Sequence, residues 1–165
     1  MEKSQEEEQS KQALITALRL LAASPKSGAE LRKKLESKGF AAEVIELALS
    51  KLRAQGVLDD TLYAKDLVNR LMLGTAAGRH KIAFELKRHG ISRKIQSELL
   101  DSISSEDEME RALEQARLKW RGWFKLDPQK RKKRLYDFLI RKGYDFQVVQ
   151  DILQKLLTGS PDDEI

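Results

Sequence analysis

Cysteine is absent from the 165 residues. That excludes a disulfide framework and a thiolate zinc site, and it fits a reducing interior. Proline occurs three times, and runs of β-branched residues are missing. Helices are therefore expected throughout, with nothing that reads as a strand. Long apolar runs are missing too. The most apolar stretch, Ala13 to Ala23, carries Arg19, and the N-terminus is acidic where a secretory signal would be basic. The chain is expected to be soluble and cytoplasmic, with no membrane partner. Histidine occurs twice, at His80 and His89. Nine residues of helix turn through roughly 900°, so the two rings face opposite ways and cannot share a metal. Gly74–Gly78 lacks the Lys-Ser/Thr of a phosphate loop. No catalytic set, metal site or cofactor is expected, which points away from an enzyme.

Charge, by contrast, is plentiful. Asp, Glu, Lys and Arg make up 35% of the chain, with a net charge of +5. Both ends are acidic: residues 1–8 and 162–164 each carry a net −3. The body between them is basic. Residues 70–94 carry seven Lys/Arg against one Glu, and residues 117–142 carry eleven against two Asp. An acidic segment, 95–116, separates them. Such a balance favours a polyanion or an acidic protein surface as partner.

From Lys11 onward, apolar residues recur at three- and four-residue spacings. Start signals include Ser27-Gly-Ala-Glu30 and Ser105-Glu-Asp-Glu108, both capping-box patterns, Ser92, and Asp127 before Pro128. Stop signals are Gly39, Gly56, Gly90, Gly143 and Gly159. These predict nine helices, near 11–23, 27–38, 41–55, 60–73, 77–88, 92–103, 106–121, 128–141 and 145–157. The nine fall into three sets. Leu31, Leu35 and Gly39 match Ile82, Leu86 and Gly90, then Leu135, Leu139 and Gly143. Phe40, Ile91 and Tyr144 follow the glycines. Leu49, Leu100 and Leu153 come ten residues past them, and Leu52, Ile103 and Leu156 thirteen past. The expected fold is all-α: three tandem three-helix repeats forming an elongated, curved modular array. Residues 1–10 read as a disordered acidic tail, 11–58, 59–104 and 105–158 as the repeats, and 159–165 as an acidic C-terminal tail.

At the first joint, Gly56 ends one helix and Asp59 or Asp60 caps the next, with Val57 and Leu58 packing inward. Trp120, Trp123 and Phe124 are expected to pack the third repeat. The middle helix of every repeat is basic. Arg32, Lys33 and Lys34 lie on the first. Arg79, Lys81, Lys87 and Arg88 lie on the second, with Arg93 and Lys94 just past its glycine turn. Lys130, Lys132, Lys133, Arg134 and Arg141 lie on the third. These residues are the candidates for contact with an anionic partner.

Gly-Val-Leu-Asp-Asp-Thr-Leu-Tyr-Ala at 56–64 resembles the joint of the bacterial RecX regulatory proteins. Glu30-Leu31-Arg32-Lys33-Lys34-Leu35 is similar to that family's first basic helix. Gly78, Ile82, Glu85, Leu86, Gly90 and Ile91 are similar to its second, and Phe138 to Tyr144 to its third. The resemblance implies a non-enzymatic protein that binds the RecA recombinase filament across neighbouring protomers. It implies inhibition of RecA's ATPase, strand-exchange and co-protease activities. DNA within or beside the filament is an expected weak partner, and the chain is expected to be a monomer. One departure stands out: after Arg70, the segment to Gly78 is apolar and small where the family carries a basic, glycine-containing segment. A helical nucleic-acid-binding module acting independently of RecA is the alternative.

Overall fold

The computed structural model describes residues 2–158, with side chains from residue 7 onward. The C-terminal tail expected at 159–165, with Gly159, lies outside the described residues. Among the described residues there are nine α-helices and no strand: α1 (Glu2–Ala23), α2 (Gly28–Glu36), α3 (Ala42–Ala54), α4 (Asp60–Thr75), α5 (Arg79–Arg88), α6 (Arg93–Asp101), α7 (Ser105–Gly122), α8 (Pro128–Lys142) and α9 (Phe146–Thr158). α1 begins at Glu2, well ahead of the expected Lys11. The extra turns are built from Glu, Gln, Lys and Ser; the first three are good helix formers that need no apolar periodicity to continue a helix.

Elsewhere the boundaries follow the punctuation. Gly39, Gly56, Gly90 and Gly143 all take positive φ, from 68° to 86°. Ser27 forms the expected capping box with Glu30. Asp127 accepts from the Gln129 and Lys130 amides ahead of α8. The second box differs. Ser104, rather than Ser105, caps α7, accepting from the Glu106 and Asp107 amides. Glu108 is thereby released for a task described below.

The helices gather into two compact units. One holds the chain up to Leu67 together with Leu86–Gln96; the other holds Val68–Glu85 and the chain from Ser97 onward. In the first unit, Leu31 and Leu35 of α2 meet Ile45, Leu49 and Leu52 of α3, Ala17 of α1 and the linker residue Leu58. Val57 points the other way and is 48% exposed, contrary to expectation. The bend after Gly56 turns Val57 to solvent and Leu58 to the core. In the second unit, Leu135 and Leu139 of α8 meet Ala112, Ala116 and Trp120 of α7, Tyr144, and Val149, Ile152 and Leu153 of α9. Trp123 packs against this core, but Phe124 is 67% exposed. The α7–α8 connection turns its last aromatic outward.

The fourfold stripe thus means the same thing in every repeat. Leu31, Leu35, Ile82, Leu86, Leu135 and Leu139 are all fully buried. The glycine turns differ in surroundings, and this yields a test. Gly39 has open space where a Cβ would sit, whereas a Cβ on Gly90 would overlap the methyl of Ala29. Gly39→Ala carries only the left-handed strain of an L residue, about 1–2 kcal/mol. Gly90→Ala adds a steric conflict of about 1–3 kcal/mol. Urea titration of the two variants should therefore give a clearly lower midpoint for Gly90→Ala.

Candidate functional site

The basic middle helices α2 and α5 start with amides that have no partner inside the helix, as all helices do. Each finds its partner in the same way. In the first unit, the Gly28 amide donates to Oδ1 of Asp60 at 2.7 Å. In the second, the Arg79 amide donates to Oε1 of Glu108 at 2.7 Å. Gly28 and Arg79 are equivalent positions, three residues before Leu31 and Ile82. The acids come from the first helix of the following repeat. Asp59 is left to cap α4 itself, accepting from the Thr61 and Leu62 amides at 2.8 and 3.0 Å. The two adjacent acids therefore serve two different helices.

The glycine turns complete each joint. The Ser27 hydroxyl donates to the His89 carbonyl, and the Gly78 amide donates to the Lys142 carbonyl at 2.8 Å. His89 and Lys142 both immediately precede their turn glycines. The His80 amide donates to the Gly143 carbonyl at 3.0 Å, and its ring lies 3.2 Å from Asp145. A Cβ at Gly78 would overlap the backbone of Gly143 and Tyr144, so only glycine fits this approach. Tyr144 donates to the Ala76 carbonyl at 2.7 Å, and burial pushes its hydroxyl up to about 12.

His89 is built into the fold, whereas the His80 ring is exposed. His89 Nδ1 lies 2.8 Å from Glu30 and 2.9 Å from the Tyr63 hydroxyl. Partial burial pulls the Glu30 carboxyl upward, but hydrogen bonds from the Ser27 amide and the His89 ring outweigh it and hold the group below its usual range. His80 and His89 face different partners, but His89 lies in the turn just past α5 and not on the helix, so the expected rotation along one helix is not what separates them. Among the described residues no cluster of His, Cys, Asp or Glu is arranged to hold a metal.

The candidate cations divide by what they touch. Arg79 is committed to the fold: Nη2 donates to the Ile103 carbonyl at 2.9 Å, and Nε lies 3.4 Å from Glu108. Arg32 pairs with Glu46. Arg134 stacks on Trp123 at 4.9 Å. Lys81 is half-buried against the Gly143 turn. Arg88 is exposed and has a partner of its own. Lys33, Lys34, Lys87, Arg93, Lys94, Lys130, Lys132, Lys133 and Arg141 are exposed and form no ion pair among the described residues. Lys33, Lys34, Lys87, Arg93 and Lys94 belong to the first unit, and the four α8 residues to the second. Sequence reasoning counted Lys142 among the basic residues of the third middle helix but missed Lys119; the two sit 5.6 and 5.5 Å from the centre of the Phe138 ring. Half of that signal was visible, because Arg134, Phe138 and Lys142 recur every four residues along α8.

Among the described residues, helices grouped in three-helix modules, with basic middle helices, define a helical-repeat protein. Residues 13–52 match the model of the first three-helix domain of RecX, and residues 106–153 that of the third. A regulatory protein RecX of Pelodictyon phaeoclathratiforme is 36% identical over 92% of this chain and 94% of its own length. One from Clostridium perfringens is 34% identical over 86% of this chain, which spans 66% of that longer relative. The crystal structure of RecX from Lactobacillus salivarius superposes with a TM-score of 0.81 at 20% identity, covering 90% of this chain and 97% of that one. The chain belongs to the RecX family of regulatory proteins.

Glu108 is 4% exposed although it carries a carboxylate. Glu108→Ala leaves the Arg79 amide without its acceptor and the guanidinium without its counter-charge, at a cost of about 1–3 kcal/mol. Lys133→Glu, on an exposed face, should change stability by less than about 0.5 kcal/mol. Chemical denaturation of the two variants side by side checks the division between structural and surface charges.

Proposed function

We propose that this protein binds the RecA recombinase filament through the exposed cations of α2, α5 and α8 and inhibits its ATPase, strand-exchange and co-protease activities. Recombination and DNA repair in the cytoplasm are the processes it would restrain. One observation carries the reading beyond family membership: the middle helix of every repeat keeps exposed Lys or Arg, at Lys33 and Lys34, Lys87, and Lys130, Lys132 and Lys133. A basic face repeated along the chain suits a partner that is itself repeated and carries bound DNA. Cations at such a surface raise the association rate and fix the register more than they add affinity. Engaging neighbouring protomers would oppose the movements that strand exchange requires.

The role is regulatory, and no step of bond chemistry is assigned to the chain. A module that binds nucleic acid without RecA is the second reading, favoured by the same exposed cations. RecA's DNA-dependent ATPase separates the two. The wild-type chain should inhibit it at substoichiometric amounts. The double variant Lys132→Glu, Lys133→Glu should lose about 1 kcal/mol of apparent affinity, roughly a fivefold higher half-inhibiting concentration. A chain that shifts naked DNA at moderate salt yet leaves the ATPase untouched would favour the second reading instead.

A further inference from the structure

One face of α7 carries four charges and two leucines that the core of its unit leaves largely uncovered. Glu110, Leu113, Glu114, Arg117, Leu118 and Arg121 follow one another at helical spacing and line one surface groove of about 470 Å3. The core is met by another face, through Ala112, Ala116 and Trp120. The four charged residues are exposed and form no ion pair among the described residues. Leu118 is 53% exposed, and Leu113 is only half-buried. At roughly 100° per residue, the charges fall in a band about 60° wide, with one leucine on either side. The acids come first and the bases last. The helix dipole favours that order, but it gives no reason for leucines beside them in solvent.

The order is also a palindrome. Two copies of α7 can lie antiparallel about a twofold axis level with the Gln115–Ala116 bond. Glu110 then stands level with Arg121 of the second copy, Glu114 with its Arg117, and Leu113 with its Leu118. The symmetry repeats each pairing, so every charge in the band meets its opposite. A parallel pairing in register would set acid against acid and base against base, which is repulsive. We propose that this face of α7 is a self-association surface, and that its partner is the same face of a second copy of the chain, antiparallel. The charges fix direction and register, and the leucines border the seam. One helix face is small beside the roughly 800 Å2 per partner of a standard interface. The dimer is therefore weak, and the monomer expected from the sequence is its dilute state. The inference concerns the chain alone and does not depend on RecA.

Sedimentation velocity of the full chain, without RecA or DNA, provides the test. The wild type should shift from monomer toward dimer as its concentration climbs to about 1 mM. Raising salt from about 0.05 to about 0.5 M should weaken the association, because exposed charges are screened. Glu110→Arg with Glu114→Arg makes the band wholly positive, and Arg117→Glu with Arg121→Glu makes it wholly negative. Each double variant alone should dimerise at least about tenfold more weakly. Mixed in equal amounts, the two should pair with each other. All four positions are exposed, and circular dichroism checks that each variant keeps its helices. A wild type that stays monomeric throughout, a dimer that survives either reversal, or variants that fail to pair on mixing would overturn the proposal.

Discussion

A helix cannot hydrogen-bond its own first amides, and this chain satisfies them with an acid from the repeat that follows. Asp60 reaches the Gly28 amide and Glu108 reaches the Arg79 amide, both at 2.7 Å. The negative charge also meets the positive end of the helix dipole. Unpaired, such an amide costs about 1–3 kcal/mol when buried. The bond is local in chemistry and long in sequence, spanning 32 residues in one case and 29 in the other. It therefore ties the starts of α2 and α5 to the repeat that follows instead of to their own, while α8 is capped by its own Asp127.

That tie governs what the middle helices can present. Their apolar stripe is fully buried, and their N-termini are fixed by the acids and by the glycine turns. Only the remaining face is free to carry Lys and Arg. The cations nearest the joint, Arg79 and Lys142, are drawn into carbonyl contacts, while those farther along α8 stay in solvent. The exposed cationic face is thus a by-product of how the helices are joined. Cations that hold the joint and cations left in solvent look alike in sequence, and tertiary contacts sort them.

Much of the fold was legible in the sequence because its signals are local. Gly39, Gly90 and Gly143 end helices by a conformation that favours glycine, and Leu31, Ile82 and Leu135 mark the stripe by spacing alone. The candidate face was legible only in part. Arg79 looked like the other cations of α5, and nothing nearby announced that Glu108 would claim it. Glu108 itself read as half of a capping box, because Ser105 stands three residues before it; Ser104 took that role. Lys119 lies on a different helix from Lys142, so no spacing rule could bring the two to Phe138. Val57 and Phe124 were misplaced because an apolar residue in a short linker gives no sign of which way it faces.

The joint is the centre of this account, and amide hydrogen exchange of the wild-type chain tests it directly. If Asp60 and Glu108 hold the two helix starts, the Gly28 and Arg79 amides exchange far more slowly than free peptide amides. Their protection should approach that of Leu31 and Ile82 one turn further on. Exchange of Gly28 and Arg79 at the rate of an unprotected amide would show that the acids do not bridge the repeats, and the account would fail.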